Sequence, residues 1–329
     1  MIAKIEAGTR RIDALELISL SRALGVPIDL VLRPLPEVLS RRSGLVDEQS
    51  DSAAARESGR LELALIAWLH DVRQLVELGT LRPRPLLLAK EAVQSAESAR
   101  QAALWLREHL GYGVRPVDAL MELCERAGMF VLVTELSGEG ASLVDGDLAV
   151  AVVSLHGDPG RRRATAAHEL GHLVIGDEYS SDLGVHASRE EREAIVDAFA
   201  AELLLPTQAL HGAVDEKRPA LRSELVKLAA TYRTSWSLTV RQADHAGLLD
   251  EPTKRELSRS SPTRGEFMEA LGWAPQPDLA SLRVPPSYAQ AVVEAWRLNA
   301  ITSSRAIELM HGEITRADLP FREETEYEP

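Results

Sequence analysis

Most apolar positions along the chain recur at helical spacing, and one central stretch is instead a set of short valine-rich runs. At the start, Ile2 to Ala7, ending at Gly8, and Asp13 to Leu24, ending at Gly25, predict two short helices, with Asp13 as the N-cap of the second. Val26, Ile28, Leu30, Val31 and Leu32 add an apolar cluster that closes a unit spanning 1–34. Residues 35–59 carry no apolar period. Arg41, Arg42, Ser43, Gly44 and the polar stretch from Asp47 to Gly59 predict a linker. Helical spacing returns from Leu61 to Leu78. Beyond Pro83 and Pro85 it resumes from Leu86 to Leu110, where Ala92, Ala96, Ala99, Ala103 and Leu106 share one side, so 60–112 is expected to be a helical scaffold.

The period changes at Pro116. Val117 to Ala127 predicts a short amphipathic helix closed by Gly128, followed by strands over Met129–Leu136 and Leu148–Leu155. Gly138, Gly140 and Asp145-Gly146 mark turns between them. This small sheet, expected to be antiparallel, feeds a helix from Thr165 to Ile175 that ends at Gly176. A second helix opens at Ser188 and stops at Pro206, and Leu225 to Leu249 is helical again, giving a unit over 113–250. Within 251–329, Ser258 to Thr263 predicts a polar loop, Tyr288–Leu298 and Ser303–Met310 predict helices, and Phe321 to Pro329 an acidic, disordered tail. The fold class is α+β, mostly helical.

Composition narrows the function. The 329 residues are 45% hydrophobic and 26% charged, the balance of a soluble globular protein. With 37 basic and 50 acidic residues the net charge is −13, which argues against coating nucleic acid or an anionic membrane. No run approaches the length of apolar residues needed to span a bilayer. Lys4, Glu6 and Arg10 fall where a signal peptide needs an apolar run, so a cytoplasmic protein with no membrane partner is expected. The single cysteine, Cys124, excludes an intrachain disulfide and any multi-cysteine metal cluster. It is expected to be a buried small hydrophobe.

The chemistry concentrates in His168-Glu169-Leu170-Gly171-His172. On a helix, positions 168 and 172 lie about 40° apart and one turn along, so both imidazoles leave one face and can converge on an ion. Zinc takes such nitrogen ligands at about 2.0–2.1 Å. Glu169, beside the first histidine, can reach a water at the ion without filling a coordination position. This is the arrangement of a metal-dependent peptidase, with Glu169 as general base. Two histidines leave the site incomplete. One solution places a third histidine six residues past the second and a glycine three past it, but Glu178 and Ile175 stand there. The other takes a glutamate from a second helix about twenty residues on, where Glu190, Glu191 and Glu193 cluster. Asp177, Glu178 and His186 are weaker ligand candidates. Asp197, one turn after Glu193, is flanked by Ile195, Val196, Ala198 and Phe199, and a carboxylate in such company wants a partner.

A glutamate followed one turn later by an aspartate resembles the thermolysin-like (gluzincin) site. That resemblance makes Glu193 the third metal ligand, and makes Asp197 the acceptor for the free N–H of His168. Residues 164–206 resemble the ImmA/IrrE family of metallo-endopeptidases. The residues that carry the likeness are Ala166-Ala167-His168-Glu169-Leu170-Gly171-His172-Leu173, then Glu193, then Phe199-Ala200-Ala201-Glu202-Leu203-Leu204-Leu205-Pro206. A looser likeness runs from Ala99 to Leu249 and includes Gly128, Asp145-Gly146 and the arginines at 161–163. Ile5, Glu6, Gly8, Arg10, Leu15, Ala23, Leu24, Gly25 and Val26 resemble the second half of an XRE-type helix-turn-helix. By that resemblance the chain opens inside the recognition helix, and the fragment is not expected to dock in a major groove as a complete module does.

The resemblance implies a zincin-like domain whose sheet packs on the HExxH helix and an endopeptidase loaded with Zn2+, although Mn2+ and Fe2+ suit the same donors. It also implies a protein substrate, an XRE-type repressor whose cleavage switches on stress or mobile-element genes. The rival expectation is a DNA-binding transcription regulator or stress sensor with a non-catalytic zinc site. Arg161, Arg162 and Arg163 are a solvated loop on one reading and a clamp for an acidic substrate segment on the other. For His211, Tyr232, Arg241 and His245, surface or packing roles are preferred over assistance to an oxyanion.

Overall fold

The computed structural model describes residues 5, 7–24, 38–42, 53–136, 138–176, 186–214, 220–272 and 278–321. Helix α1, Ala14–Leu24, starts where the sequence places it, because the Asp13 carboxylate accepts the backbone N–H of Glu16 at 2.8 Å. Of the helix expected before it only residues 5 and 7 are described, and the apolar cluster at 26–32 and the acidic tail beyond 321 lie outside the described residues. Two elements begin inside the expected linker: strand β1, Val38–Arg42, and helix α2, Ala53–Glu77. Neither needed an apolar period there. A sheet edge pairs through its backbone, and the Ala-, Arg- and Glu-rich opening of α2 has intrinsic helix propensity.

Helix α3 is Ala96–His109, ten residues shorter at its start than its apolar pattern. Ser95 and Ser98 cap it reciprocally. The preceding chain instead spends its backbone donors on neighbours, Leu87 N–H on Ala127 O at 3.0 Å and Ala89 N–H on Val174 O at 2.7 Å. Helix α4, Leu120–Arg126, leads into the sheet: β2 Met129–Thr134, β3 Gly140–Asp145 and β4 Leu148–Ser154. The strand order is β1-β3-β4-β2. The sheet is mixed, which corrects the expected antiparallel one. β3 and β4 form an antiparallel hairpin around the Asp145-Gly146 turn, and β1 pairs antiparallel with β3. That hairpin leaves only the far edge of β4 for β2, which lies there parallel.

Both faces of the sheet are buried, and residue alternation divides them. Met129, Val131 and Val133 of β2, with Ala149, Ala151 and Val153 of β4, join the core formed with helices α5, Pro159–Ile175, and α6, His186–Leu204. Phe130, Leu132, Ala141, Leu143, Leu148, Val150 and Val152 point the other way, into a core with Leu65, Trp68 and Tyr288. On that side Trp68 of α2 donates its indole N–H to Phe130 O at 3.0 Å and meets Tyr288 at 4.5 Å between ring centroids. Tyr288 belongs to helix α12, Pro286–Arg297, reached after α7 Thr207–His211, α8 Arg222–Tyr232, α9 Trp236–His245, α10 Glu251–Arg259 and α11 Arg264–Leu271. Helix α13, Ser303–Leu309, completes this layer. Each Leu or Val so buried contributes about 1.5–3 kcal/mol. No helix among the described residues is long and apolar enough to cross a membrane.

Candidate metal centre

Helix α5 begins earlier than its apolar period suggests. Asp158 accepts Gly160 N–H at 2.7 Å, Pro159 occupies the first turn, and Gly176 ends the helix at φ +69°. The arginines at 161–163 therefore lie in the helix and not in a loop. Arg162 donates to Leu155 O at 2.6 Å. Arg163, fully buried, donates to Val117 O at 2.6 Å and pairs with Asp278. Burial pulls the Arg163 pKa down, and the Asp278 carboxylate opposes that pull. Asp278 also accepts Leu120 N–H at 3.1 Å, a cap that Ala119 has no side-chain oxygen to provide. Arg161 is exposed and paired with Glu139. Arg162 and Arg163 are thus structural anchors for the helix.

His168 and His172 leave one face of α5, as their spacing predicts, and their Nε2 atoms lie 3.1 Å apart. Both are buried. The second helix must come close to reach them, and Gly171 allows it. A Cβ at 171 would stand 2.9 Å from Val196 Cγ1 and 3.0 Å from Phe199 Cδ1 of α6. With that approach Glu193 Oε2 comes within 3.0 Å of His168 Nε2, and Asp197 Oδ1 within 2.9 Å of His168 Nδ1. Glu193 and Asp197 are both about one-third exposed, while His168 is not exposed at all. One donor atom each from His168, His172 and Glu193 lies within 4.8 Å of the others.

This donor set fits a divalent cation. Ligands about 2.05 Å from a tetrahedral ion stand about 3.3 Å from one another, close to the 3.1 and 3.0 Å separations here. Glu169 supplies a second observation. Its side chain is completely buried, and Oε2 accepts the Ser142 hydroxyl at 2.7 Å, yet Oε1 has no hydrogen-bond partner among the described residues. A buried acceptor left unmet costs about 1–3 kcal/mol, a penalty found where a site expects water or a reacting group. Space is kept there by Gly140, whose missing Cβ would lie 2.6 Å from Thr165 Cγ2 and 3.4 Å from Glu169 Oε1.

His168, His172 and Glu193 thus come together, with Asp197 against His168, and Glu169 is their neighbour along α5. Neither Gly140 as a spacer nor Ser142 is among the site residues expected from the sequence, where Gly140 and Asp145-Gly146, the two ends of β3, mark turns. Since Ala141 and Leu143 belong to the opposite core, alternation turns Gly140 and Ser142 toward α5. The other candidates do not join the cluster. Glu190 and Glu191 are exposed, Asp177 and Glu178 lie outside the described residues, and so does the side chain of His186. Tyr232 donates its hydroxyl to Val114 O at 2.7 Å, and His211, Arg241 and His245 are exposed. Cys124 is buried, and burial raises its thiol pKa above the ordinary value.

Residues 124–243 match the family model described as IrrE N-terminal-like domain, Peptidase_M78. No curated protein matches the chain. The matched segment runs from the end of α4 into α9 and holds Ser142, both histidines, Glu169, Glu193 and Asp197. Residues 124–243 are therefore similar to an IrrE N-terminal-like domain, a similarity that supports a peptidase.

Proposed function

We propose that the protein is an endopeptidase that hydrolyses a peptide bond in a protein substrate, using a divalent cation held by His168, His172 and Glu193. The observation that carries this reading is the convergence of those three donor atoms beside a buried carboxylate bonded on one side only. Zinc, or manganese or iron in its place, would supply polarisation of the scissile carbonyl and a lowered pKa for water. The chain's own residues do the rest. Glu169 takes the proton of the attacking water at Oε1 and passes it to the leaving amine. Ser142 holds Oε2, so that Oε1 keeps its aim. Asp197 engages His168 Nδ1, which leaves the Nε2 lone pair for the ion.

The substrate we propose is an XRE-type repressor with an exposed, extended segment, cleaved in the cytoplasm so that stress or mobile-element genes are switched on. The likeness of Ile5 to Val26 to XRE modules supports that choice. The test uses the full chain, its metal content and a co-encoded repressor, with products read by mass spectrometry. Glu169→Gln is expected to keep the metal and lose cleavage by about 100-fold or more. Glu193→Ala is expected to lose the metal. Full cleavage by Glu169→Gln, or full metal retention by Glu193→Ala, overturns the assignment. Stoichiometric metal with no cleavage of any peptide would favour a sensor instead.

A further inference from the structure

We propose that the chain's own Val38–Arg42 is an internal competitor: it occupies the outer edge of β3, the place from which an extended substrate would reach Glu169. The inference rests on the peptidase reading for the word substrate, but not for the docking itself.

β3 is the strand that borders the site. Its Ser142 bonds Glu169, and its Gly140 makes room beside Oε1. One edge of β3 is taken by β4, so an extended peptide can reach Glu169 and the donor cluster by adding a strand on the other edge, about 4.8 Å away. That place is held by β1. The register pairs Ser40 with Ser142, Arg41 with Ala141 and Arg42 with Gly140, antiparallel, so β1 runs along the two residues that face the catalytic carboxylate. Helix α5 packs against β1 as well.

β1 is built to be displaced. It has five residues, a register irregularity between Val38 and Ser40, and one β-branched residue. It also lies outside the matched segment, 124–243. Strand pairing is main-chain bonding, so another extended peptide satisfies the same donors and acceptors of β3. Tethered in the same chain, β1 competes at an effective concentration on the order of millimolar, which a dilute substrate does not match. Access therefore requires that 38–42 be drawn off β3.

The test uses two full-length, metal-loaded variants. One carries Ser40→Pro with Arg42→Pro, since proline removes ladder donors. The other replaces residues 38–42 by five glycines, which weakens pairing without proline's rigidity. The probe is a fluorescein-labelled peptide of residues 36–43, read by anisotropy, and cleavage of the repressor is followed in parallel. The peptide is expected to bind both variants at least about tenfold more tightly than the parent, and cleavage to rise by a similar factor. Equal binding to all three proteins, or binding to none, overturns the proposal even if all three cleave, and the peptidase reading then stands alone. Discriminating binding with no cleavage by any of them sustains the docking edge and sinks the peptidase reading.

Discussion

The Ser142 hydroxyl donates to Glu169 Oε2 at 2.7 Å, and the other oxygen of that carboxylate meets no hydrogen-bond partner among the described residues. The bond joins the sheet to the catalytic helix and fixes which oxygen is available. Ser142→Ala is expected to lower kcat/KM by about tenfold, the lower end of what a hydrogen bond to a charged group is worth. Metal content should not change. Equal loss of metal and activity would show that the serine supports the fold and not the base.

On the proposed function, Asp197 acts one step behind the ion. Its 2.9 Å contact with His168 Nδ1 sets the tautomer and the ring's orientation. Asp197→Asn is expected to weaken metal binding by about 10–100-fold, measured by competition with a chelator. Unchanged affinity would remove Asp197 from the site.

Gly171 governs how near α6 comes to α5. Gly171→Val would drive carbon into Val196 and Phe199, with an overpacking cost of about 1–3 kcal/mol. Denaturant unfolding checks the stability, and metal titration checks the second expectation: a displaced Glu193 binds the ion more weakly than in the parent. Lost stability with full affinity would show that the helices adjust without moving the ligand.

Glu125 gives a pH signature away from the site. Burial raises its pKa above the ordinary 4.5, against the opposing bonds from the Ser287 N–H and hydroxyl. A carboxyl with a raised folded value favours folding below its unfolded pKa and loses that contribution as pH rises through the folded one. Glu125→Gln keeps an acceptor for Ser287 and carries no charge. Its melting temperature, compared with the parent, should differ little near pH 4 and become relatively higher toward pH 7. A constant difference across that range would place the charge penalty elsewhere.

The helices that carry the proposed metal ligands were legible because their signals are local: a 168/172 spacing, a glycine stop at 176, a proline after Leu205. Glu193 and Asp197 followed from one-turn spacing plus the family likeness. β3 was not legible. Gly140, Ala141 and Ser142 lack the β-branched bulk that marks a strand, and their pairing is decided by β4 and β1. Counting back across the Asp145-Gly146 turn from Leu148 would have set Ser142 opposite Ala151 and shown which face it shares. The parallel pairing of β2 was hidden for a related reason, since strand direction depends on which edge a hairpin leaves open. Helix α5 was read six residues too short because Pro159 to Ala164 has no apolar stripe, although Asp158-Pro159 is a start signal in itself.

Arg163 and Asp278 lie 115 positions apart along the chain, and the acid falls 35 residues beyond the end of the matched segment. A fragment cut to 124–243 would discard both the counter-ion of this buried guanidinium and the Val117 carbonyl that accepts from it, and removing one partner of a buried ion pair costs about 3–5 kcal/mol. The same cut would remove the first four residues of α4, including Leu120, whose N–H Asp278 accepts. The smallest piece able to stand alone must therefore reach past Asp278, and the C-terminal third serves as ballast for the reactive helix.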